Sequence, residues 1–215
     1  MKEQCQRIKK YIEDYFNPKY IPRLLYLDLP KTFEEYIDKI VKKSARTEWH
    51  KAKKNNCSLE RIYDIIPIND DIIEIWESQK ERKHTEKWRW EKQFLLEDLE
   101  GRLRWFLKKW PKQKYEYFCS NHKVEFWVVK KDSKVISYIE IVKANDKAVV
   151  HSTFGHTDYL KYGIMKFMFV ELLRYYIEEK KIKIFSYGFE QFLKDNRRFF
   201  VEDLGIIKVW KNEKP

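Results

Sequence analysis

The stretch from Ser152 to Leu173 constrains the fold of this chain more than any other part of the sequence. It begins as the end of a strand, passes through a glycine and a polar turn, and continues as a helix that is apolar on nearly all sides. A helix of that kind is buried, so we expect it to pack inside the protein against a sheet. Backbone N–H groups at such a helix start favour an anion, which predicts anion binding at the turn.

The segments around this stretch alternate between strand and helix patterns, an order that predicts one α/β domain over residues 1–215. Alternating apolar residues predict strands at 23–29, 61–68, 124–130, 135–143, 147–154, 182–187 and 205–210. Apolar residues at helical spacing predict helices at 33–55, 70–81, 158–179 and 189–200. We expect a mixed, mostly antiparallel sheet flanked by helices on both faces, with an N-terminal helical extension at 1–22 and a helical insertion at 86–110.

Local signals support two of these boundaries. Thr32 and Glu35 form a capping box at the start of the first long helix. Asp132 and Ser133 are suited to the hairpin turn between two of the strands.

The sequence is strongly basic, with 45 Lys and Arg against 34 Asp and Glu and a formal charge of +11. Such a balance attracts nucleic acid, acidic membranes or anionic cofactors. A lysine-rich composition from an AT-rich genome or a hot habitat explains the same number equally well. In the insertion, Trp90 and Trp105 lie off the apolar stripe among Arg and Lys, a pattern that favours base stacking, although aromatic stripes at helical spacing are mostly core.

Two absences set expectations about location and metals. No apolar run approaches the roughly 20 residues that span a bilayer, and residues 1–10 lack a signal-peptide stretch. We therefore expect a cytoplasmic protein without membrane contact. Cys5, Cys57 and Cys119 show no metal-ligand spacing, so no metal is expected.

The C-terminal ending, Arg198-Phe-Phe-Val-Glu-Asp-Leu-Gly205-Ile, resembles the aromatic and Leu-Gly ending of the GNAT (Gcn5-related N-acyltransferase) superfamily. The run from Gly155 to Met165 resembles a poorly characterised bacterial and phage-type subgroup, and the best-matched core covers 123–212. The resemblance implies a GNAT-like fold and acyl transfer to an amine of a small molecule or peptide. It implies acetyl-CoA or another acyl-CoA as the donor.

The turn before the central helix departs from the pattern of CoA-dependent members, which carry Gln/Arg-x-x-Gly-x-Gly/Ala so that backbone amides reach the pyrophosphate. Here the turn is His151-Ser-Thr-Phe-Gly155-His156-Thr-Asp158, with one glycine and an aspartate that repels phosphate. The Fem-type and leucyl/phenylalanyl transferases, which use aminoacyl-tRNA, also lack the CoA turn, so a tRNA-linked donor is the second expectation. The resemblance places donor binding at Phe154, Gly155, Thr157, Asp158, Tyr159 and Gly163.

Acyl transfer needs a base for the amine and stabilisation of the tetrahedral oxyanion. His156 is a candidate base because an ordinary histidine titrates near neutral pH. The resemblance adds Glu140 as a second candidate base and Tyr162 as the acid for the leaving group. Each has a structural alternative: His156 caps the helix start, Glu140 faces solvent, and Tyr162 packs against the core with its hydroxyl at the surface.

Arg46, Ser78 and Arg82 are predicted to line the other side of the cleft and hold an anionic group of the substrate. The alternative for both arginines is a solvated helix face. The rival to an enzyme is a non-catalytic basic module that uses the same scaffold to bind tRNA, another nucleic acid or a protein.

Overall fold

A mixed sheet of seven strands lies at the centre of the part of the chain that the computed structural model describes. That part comprises residues 24–63, 66–82, 122–189 and 200–210, preceded by residues 6, 9, 10, 12, 13 and 16. The strands are β1 (Leu24–Asp28), β2 (Cys57–Ile62), β3 (His122–Lys131), β4 (Lys134–Ala144), β5 (Lys147–Gly155), β6 (Ile184–Phe189) and β7 (Lys208–Trp210). Their order is β2-β3-β4-β5-β6-β1-β7, and every neighbouring pair is antiparallel except β5 and β6.

Helices cover both faces of this sheet. They are α1 (Phe33–Glu35), which continues as π-helix over Tyr36–Ile40, α2 (Lys43–Lys54), α3 (Asn69–Arg82) and α4 (Ile164–Glu179). Short 3-10 segments occur at Ile66–Ile68 and Thr157–Tyr162, and residues 200–203 form a helical turn. The predicted fold class is confirmed by this arrangement.

The larger core lies between the sheet and the helices α2 and α4. α4 is the helix that the sequence predicts to be buried, and Phe167, Met168 and Leu172 are at most 2% exposed. Trp49 and Ala52 on α2 join the same cluster. Burying this many apolar side chains is the main force that holds the two helices on the sheet.

A second cluster covers the opposite face of the sheet. Ile75 on α3 is fully buried there against Val128 and Tyr138, and Ile12 and Phe16 from the N-terminal region join it. The sheet is therefore buried on both faces, which explains the nearly continuous apolar sequence of β3 and β4.

Several predicted boundaries are confirmed. The α3 helix, the strands β1, β3, β4 and β5 and the turn at Asp132 and Ser133, both with positive φ, lie where the pattern places them. Thr32 Oγ1 accepts the N–H of Glu35 at 3.1 Å, while the Glu35 carboxylate meets the N–H of Lys31 at 3.4 Å. The predicted insertion at 86–110 lies outside the described residues, as does most of the helix predicted at 189–200.

Several boundaries differ from the prediction. The strand predicted at 182–187 is Ile184–Phe189, and the strand predicted at 205–210 is Lys208–Trp210. The helix predicted at 33–55 is interrupted at Val41 and Lys42, which adopt extended conformations. The second strand is Cys57–Ile62 rather than 61–68, where a 3-10 turn lies instead. The helix predicted at 158–179 begins as the 3-10 segment and becomes α-helical after Gly163. Among the described helices, none has the length and hydropathy of a bilayer span.

Candidate functional site

The strands β5 and β6 diverge after a short parallel ladder. The ladder pairs Lys147 to Val149 of β5 with Ile184 to Ser186 of β6. From Val150 onward β5 continues beside β4 alone in the described residues, whereas β6 continues beside β1 as far as Phe189. A place where neighbouring strands separate can admit a ligand between them.

A β-bulge lies at the start of this divergence. Ile141 of β4 pairs with Val150, but Glu140 pairs with Ser152, so His151 is the extra residue on β5. Bulges bend the strand, re-aim side chains and occur often next to active sites.

Glu140 is the titratable group at the bulge. Its side chain lies on the same face of β4 as Tyr138, and Ser152 Oγ donates to its Oε2 at 3.2 Å. Burial raises the pKa of Glu140, and the nearby His151 and the bond from Ser152 lower it only in part. A carboxylate with a raised pKa is a stronger base than an ordinary one, which suits the removal of a proton from an amine.

Aromatic side chains pack beside Glu140 on the same face. Phe154 stacks on Trp76 of α3 with the ring centres 5.0 Å apart, and Trp76 Nε1 donates to Tyr138 Oη at 2.8 Å. Tyr138 also contacts Phe154, with the ring centres 5.6 Å apart. Phe154, predicted to bind the donor, is therefore part of the wall between α3 and the sheet.

The backbone amides at the turn already have partners inside the protein. Thr157 N–H donates to Ser78 Oγ at 3.0 Å, and Thr157 Oγ1 donates to the Ser78 carbonyl at 2.7 Å. Asp158 N–H donates to His156 Nδ1 at 3.3 Å. Ser78, predicted to bind substrate, thus fastens α3 to the turn.

Both glycines of the turn are required by the packing of the protein itself. A Cβ on Gly155 would lie 2.6 Å from Met165 Sδ, closer than such contacts allow. Gly163 has φ +78°, which favours glycine, and a Cβ there would lie 2.6 Å from the Glu48 carbonyl oxygen.

His156 has its Nδ1 engaged as an acceptor. A neutral imidazole that accepts at Nδ1 carries its proton on Nε2, so in this arrangement both nitrogens are unavailable as a base. Its ring meets Tyr159 edge-to-face, with the ring centres 5.1 Å apart. The capping alternative considered for His156 from the sequence is the contact that the structure contains.

Tyr162 lies apart from Glu140. Its ring centre is 6.2 Å from that of Tyr159, and both tyrosines pack against the larger core under α4. Ser137 of β4 lies opposite Gly155, where the turn begins, and Glu140 lies three residues further along β4. At about 3.3 Å per residue, Glu140 is roughly 10 Å along the strand from the start of the turn.

Of the two arginines expected at the cleft, Arg46 is bonded elsewhere. Arg46 Nη1 donates to the Ile37 carbonyl at 3.4 Å and so helps close the π-helical turn. Arg82 ends α3, and its side chain lies outside the described residues.

The turn does not fit the pyrophosphate of the expected acyl-CoA. Its first amides are bonded to Ser78 and His156, and exposed Asp158 adds a negative charge. Within the described residues, no group of three or more His, Cys, Asp or Glu is placed to hold a metal ion.

The sequence analysis did not identify the partners of Glu140, which are His151 and Ser152. The bulge that brings Ser152 beside Glu140 leaves no signature in the sequence. The polar run His151-Ser152-Thr153 in the second half of β5 was the available hint.

Comparison with known proteins gives one family. The model of the acetyltransferase (GNAT) family matches residues 69–206, which span α3 to the last helical turn and include the whole candidate site. No curated protein matches the chain in sequence.

Solved structures share the architecture at low identity. The C-terminal domain of a protein designated a lysylphosphatidylglycerol synthetase from Agrobacterium fabrum is 15% identical with a TM-score of 0.54, over 87% of this chain and 57% of that one. A conserved protein of unknown function from Bacteroides thetaiotaomicron is 10% identical with a TM-score of 0.52, over 93% and 63%. FemX is 10% identical with a TM-score of 0.46, over 87% and 59%. The chain thus spans about three-fifths of the length of these structures, and the likeness concerns the fold.

Proposed function

This chain belongs to the acetyltransferase (GNAT) family, and from that premise we propose that it transfers an acyl group to an amine where β5 diverges from β6. Membership of the family supports acyl transfer in general. The observation that carries the finer proposal is Glu140, a carboxylate with a raised pKa beside the bulge of β5.

Glu140 is the proposed base. An amine must be unprotonated to attack, so the carboxylate takes one proton from the acceptor ammonium. The amine nitrogen then forms a bond to the carbonyl carbon, and the C–O or C–S bond to the carrier breaks. The nitrogen loses a second proton, the carrier leaves as an alcohol or thiol after taking up that proton, and an amide remains. Ser152 holds the carboxylate toward β5 while this occurs.

The proposed donor is an aminoacyl ester carried by tRNA. The closed turn argues against a donor whose pyrophosphate the turn must grip, because Ser78 and His156 already use the amides of Thr157 and Asp158. A tRNA-linked donor is held through many phosphates along its length, and the charge of +11 suits such a partner.

A non-catalytic binding module is the second candidate. The same closed turn favours it, because a scaffold that has lost its donor site would also satisfy its own amides. Under this alternative, Glu140 performs no chemistry and the protein forms no amide product.

The test is a direct assay of amide formation. Purified protein is incubated with acetyl-CoA, or with tRNA charged with radiolabelled amino acids, in the presence of spermidine or a lysine-containing peptide. We expect labelled product from charged tRNA, and a loss of about 10²–10⁴-fold in rate for Glu140→Gln. The matched control is Glu60→Gln, an exposed glutamate paired with Lys130, which should retain the wild-type rate.

The dependence on pH separates a base from a structural carboxylate. The wild-type rate should fall as the pH decreases through a pKa above the ordinary carboxyl range. The residual rate of Glu140→Gln should not show this decrease. Product from acetyl-CoA alone would overturn the proposed donor. Equal rates for Glu140→Gln and wild type would remove the proposed base, and no product from any donor would favour the binding module.

A further inference from the structure

The outward face of α2 carries cations that no acidic side chain neutralises. Lys43, Lys51 and Lys54 are exposed, and none has an acidic partner at ion-pair distance within the described residues. Several other surface lysines of that part have one, namely Lys9, Lys39, Lys42, Lys130, Lys131, Lys134, Lys181, Lys183 and Lys208, whereas exposed Lys10, Lys31, Lys53, Lys161 and Lys180 do not. Lys43, Lys51 and Lys54 differ from these others in that they lie in a row along one face of one helix.

The stability of the helix does not account for all of these cations. Lys51 and Lys54 lie near the C-terminus of α2, where positive charge complements the helix dipole. Lys43 lies in the first turn, which holds no acidic residue, and there a cation opposes the dipole. A lysine kept at that unfavourable position suggests a role outside the helix.

The buried side of α2 holds this face rigidly in place. Ala45, Trp49 and Ala52 are buried against the larger core, and Asn55 caps the C-terminus through a bond from its Nδ2 to the Lys51 carbonyl. A row of charges on a fixed helix loses less entropy on binding than the same charges on a loop.

We propose that this α2 basic face, formed by Lys43, Thr47, His50, Lys51 and Lys54, binds the phosphate backbone of a nucleic acid. From Lys43 to Lys54 the helix rises about 16 Å. A strand of a duplex presents one phosphate for about every 3.4 Å of its axis, so the row spans several phosphates. The proposal does not depend on Glu140, which lies on the opposite face of the sheet.

The chemistry of the face favours nucleic acid over a protein partner. Its five residues are polar or cationic and exposed, and it presents none of the aromatic or arginine anchors on which protein interfaces depend. Point charges with a polar surround contact phosphates without reading sequence, so binding should be indifferent to base identity.

The test compares two triple variants of the full chain that lose the same formal charge. Binding of fluorescent single-stranded RNA and of deacylated tRNA is measured by anisotropy across a salt series. Replacing Lys43, Lys51 and Lys54 by alanine should weaken binding about tenfold or more and reduce the slope of log K against log salt by roughly 2, since single strands contribute about 0.7 per phosphate contact. The matched control replaces Lys181, Lys183 and Lys208, whose charges are paired, and should retain most of the affinity and the slope.

Three outcomes would overturn the proposal. Equal losses in both variants would mean that net charge alone attracts RNA. Unchanged binding in the α2 variant would mean that another segment holds it. Binding to vesicles containing phosphatidylserine but not to either RNA would assign the face to a membrane surface. Circular dichroism and thermal unfolding of both variants establish that each is folded.

Discussion

Two glutamates on neighbouring strands, one buried and one partly buried, have different surroundings. Glu125 on β3 is 1% exposed, and it accepts hydrogen bonds from Tyr176 Oη at 2.7 Å and Trp127 Nε1 at 3.1 Å. Lys143 and Arg61 approach its other oxygen at 3.0 and 3.4 Å. Within the described residues, Glu140 on β4 has a neutral hydrogen bond from Ser152 and His151 nearby. Glu125 is thus surrounded by more donors and cations than Glu140.

The difference indicates that Glu125 serves to stabilise the fold. Surrounding a buried carboxylate with cations and hydrogen-bond donors compensates its desolvation and ties strands and helices together. Around Glu125, the bond from Tyr176 joins β3 to α4, and burial together with the Glu125 charge raises the pKa of Tyr176 well above its ordinary value. Within the described residues, His151 and Ser152 offset the burial of Glu140 only in part, so its pKa stays raised, and perturbed pKa values are more frequent at functional sites.

The largest expected effect is the loss of the Glu125 cluster. Glu125→Ala leaves Lys143 and Arg61 buried without their shared carboxylate, so it should lower the free energy of unfolding by about 3–5 kcal/mol. Urea unfolding followed by circular dichroism measures this. The control Glu60→Ala breaks the exposed pair with Lys130 and should cost less than about 1 kcal/mol. Similar costs for the two variants would show that the cluster is no more important than a surface pair.

Asp203 lies between these extremes and gives a smaller effect with a defined pH dependence. Burial alone would raise the pKa of Asp203, but hydrogen bonds from Lys166 and Ser44, both at 2.7 Å, outweigh it, so the pKa lies below its ordinary value. A lowered pKa stabilises the fold above the unfolded-state pKa, and that contribution disappears as pH falls through the folded-state pKa. Asp203→Asn should cost about 1–2 kcal/mol at pH 7, since the pair is partly exposed.

Unfolding at neutral and at acid pH tests this sign. The gap between wild type and Asp203→Asn should narrow steadily as the pH is lowered. The control Asp28→Asn removes an exposed partner of Lys208 and should change stability by less than about 1 kcal/mol. A gap that widens toward acid pH would contradict the lowered pKa.

Local patterns predicted the elements of this fold better than their interruptions. The strands β3 to β5 and the buried α4 follow from apolar periodicity, which burial enforces directly. The break at Val41 and Lys42 does not, because the bond from Lys42 N–H to the Asp203 carbonyl joins residues far apart in sequence. The second strand was placed too late because Asn56, with φ +58°, turns the chain straight into β2.

The candidate site was harder to predict than the fold. Most of the residues proposed for it lie in or beside one turn, yet the geometry of the site depends on pairings between distant segments. Ser78 and Thr157 are 79 residues apart, and the register that places Ser152 beside Glu140 depends on the bulge at His151. Periodicity locates a strand, but it does not specify which residue of the neighbouring strand lies opposite.

The smallest expected effect has the opposite sign from the others and tests the comparison most sharply. Glu140→Gln should make the protein more stable at neutral pH. Burial raises the pKa of Glu140 in the folded state, so the folded protein holds the proton of this carboxyl more tightly than the unfolded chain does. The free energy of unfolding therefore falls as the pH rises from the unfolded-state pKa through the folded-state pKa. Glutamine does not titrate and avoids this loss, so the gain should be present at pH 7 and should disappear at acid pH.

Ser152→Ala supplies the matched control for that gain. It removes a hydrogen bond to the Glu140 carboxylate, so it should destabilise the wild-type protein at pH 7 but should cost less in a Glu140→Gln background. Urea unfolding of the wild type, Glu140→Gln, Ser152→Ala and the double variant, at neutral and at acid pH, measures both effects. A loss of stability in Glu140→Gln at pH 7 would place Glu140 with Glu125 as a structural carboxylate. A gain of stability together with a loss of rate would identify it as a group retained for its chemistry.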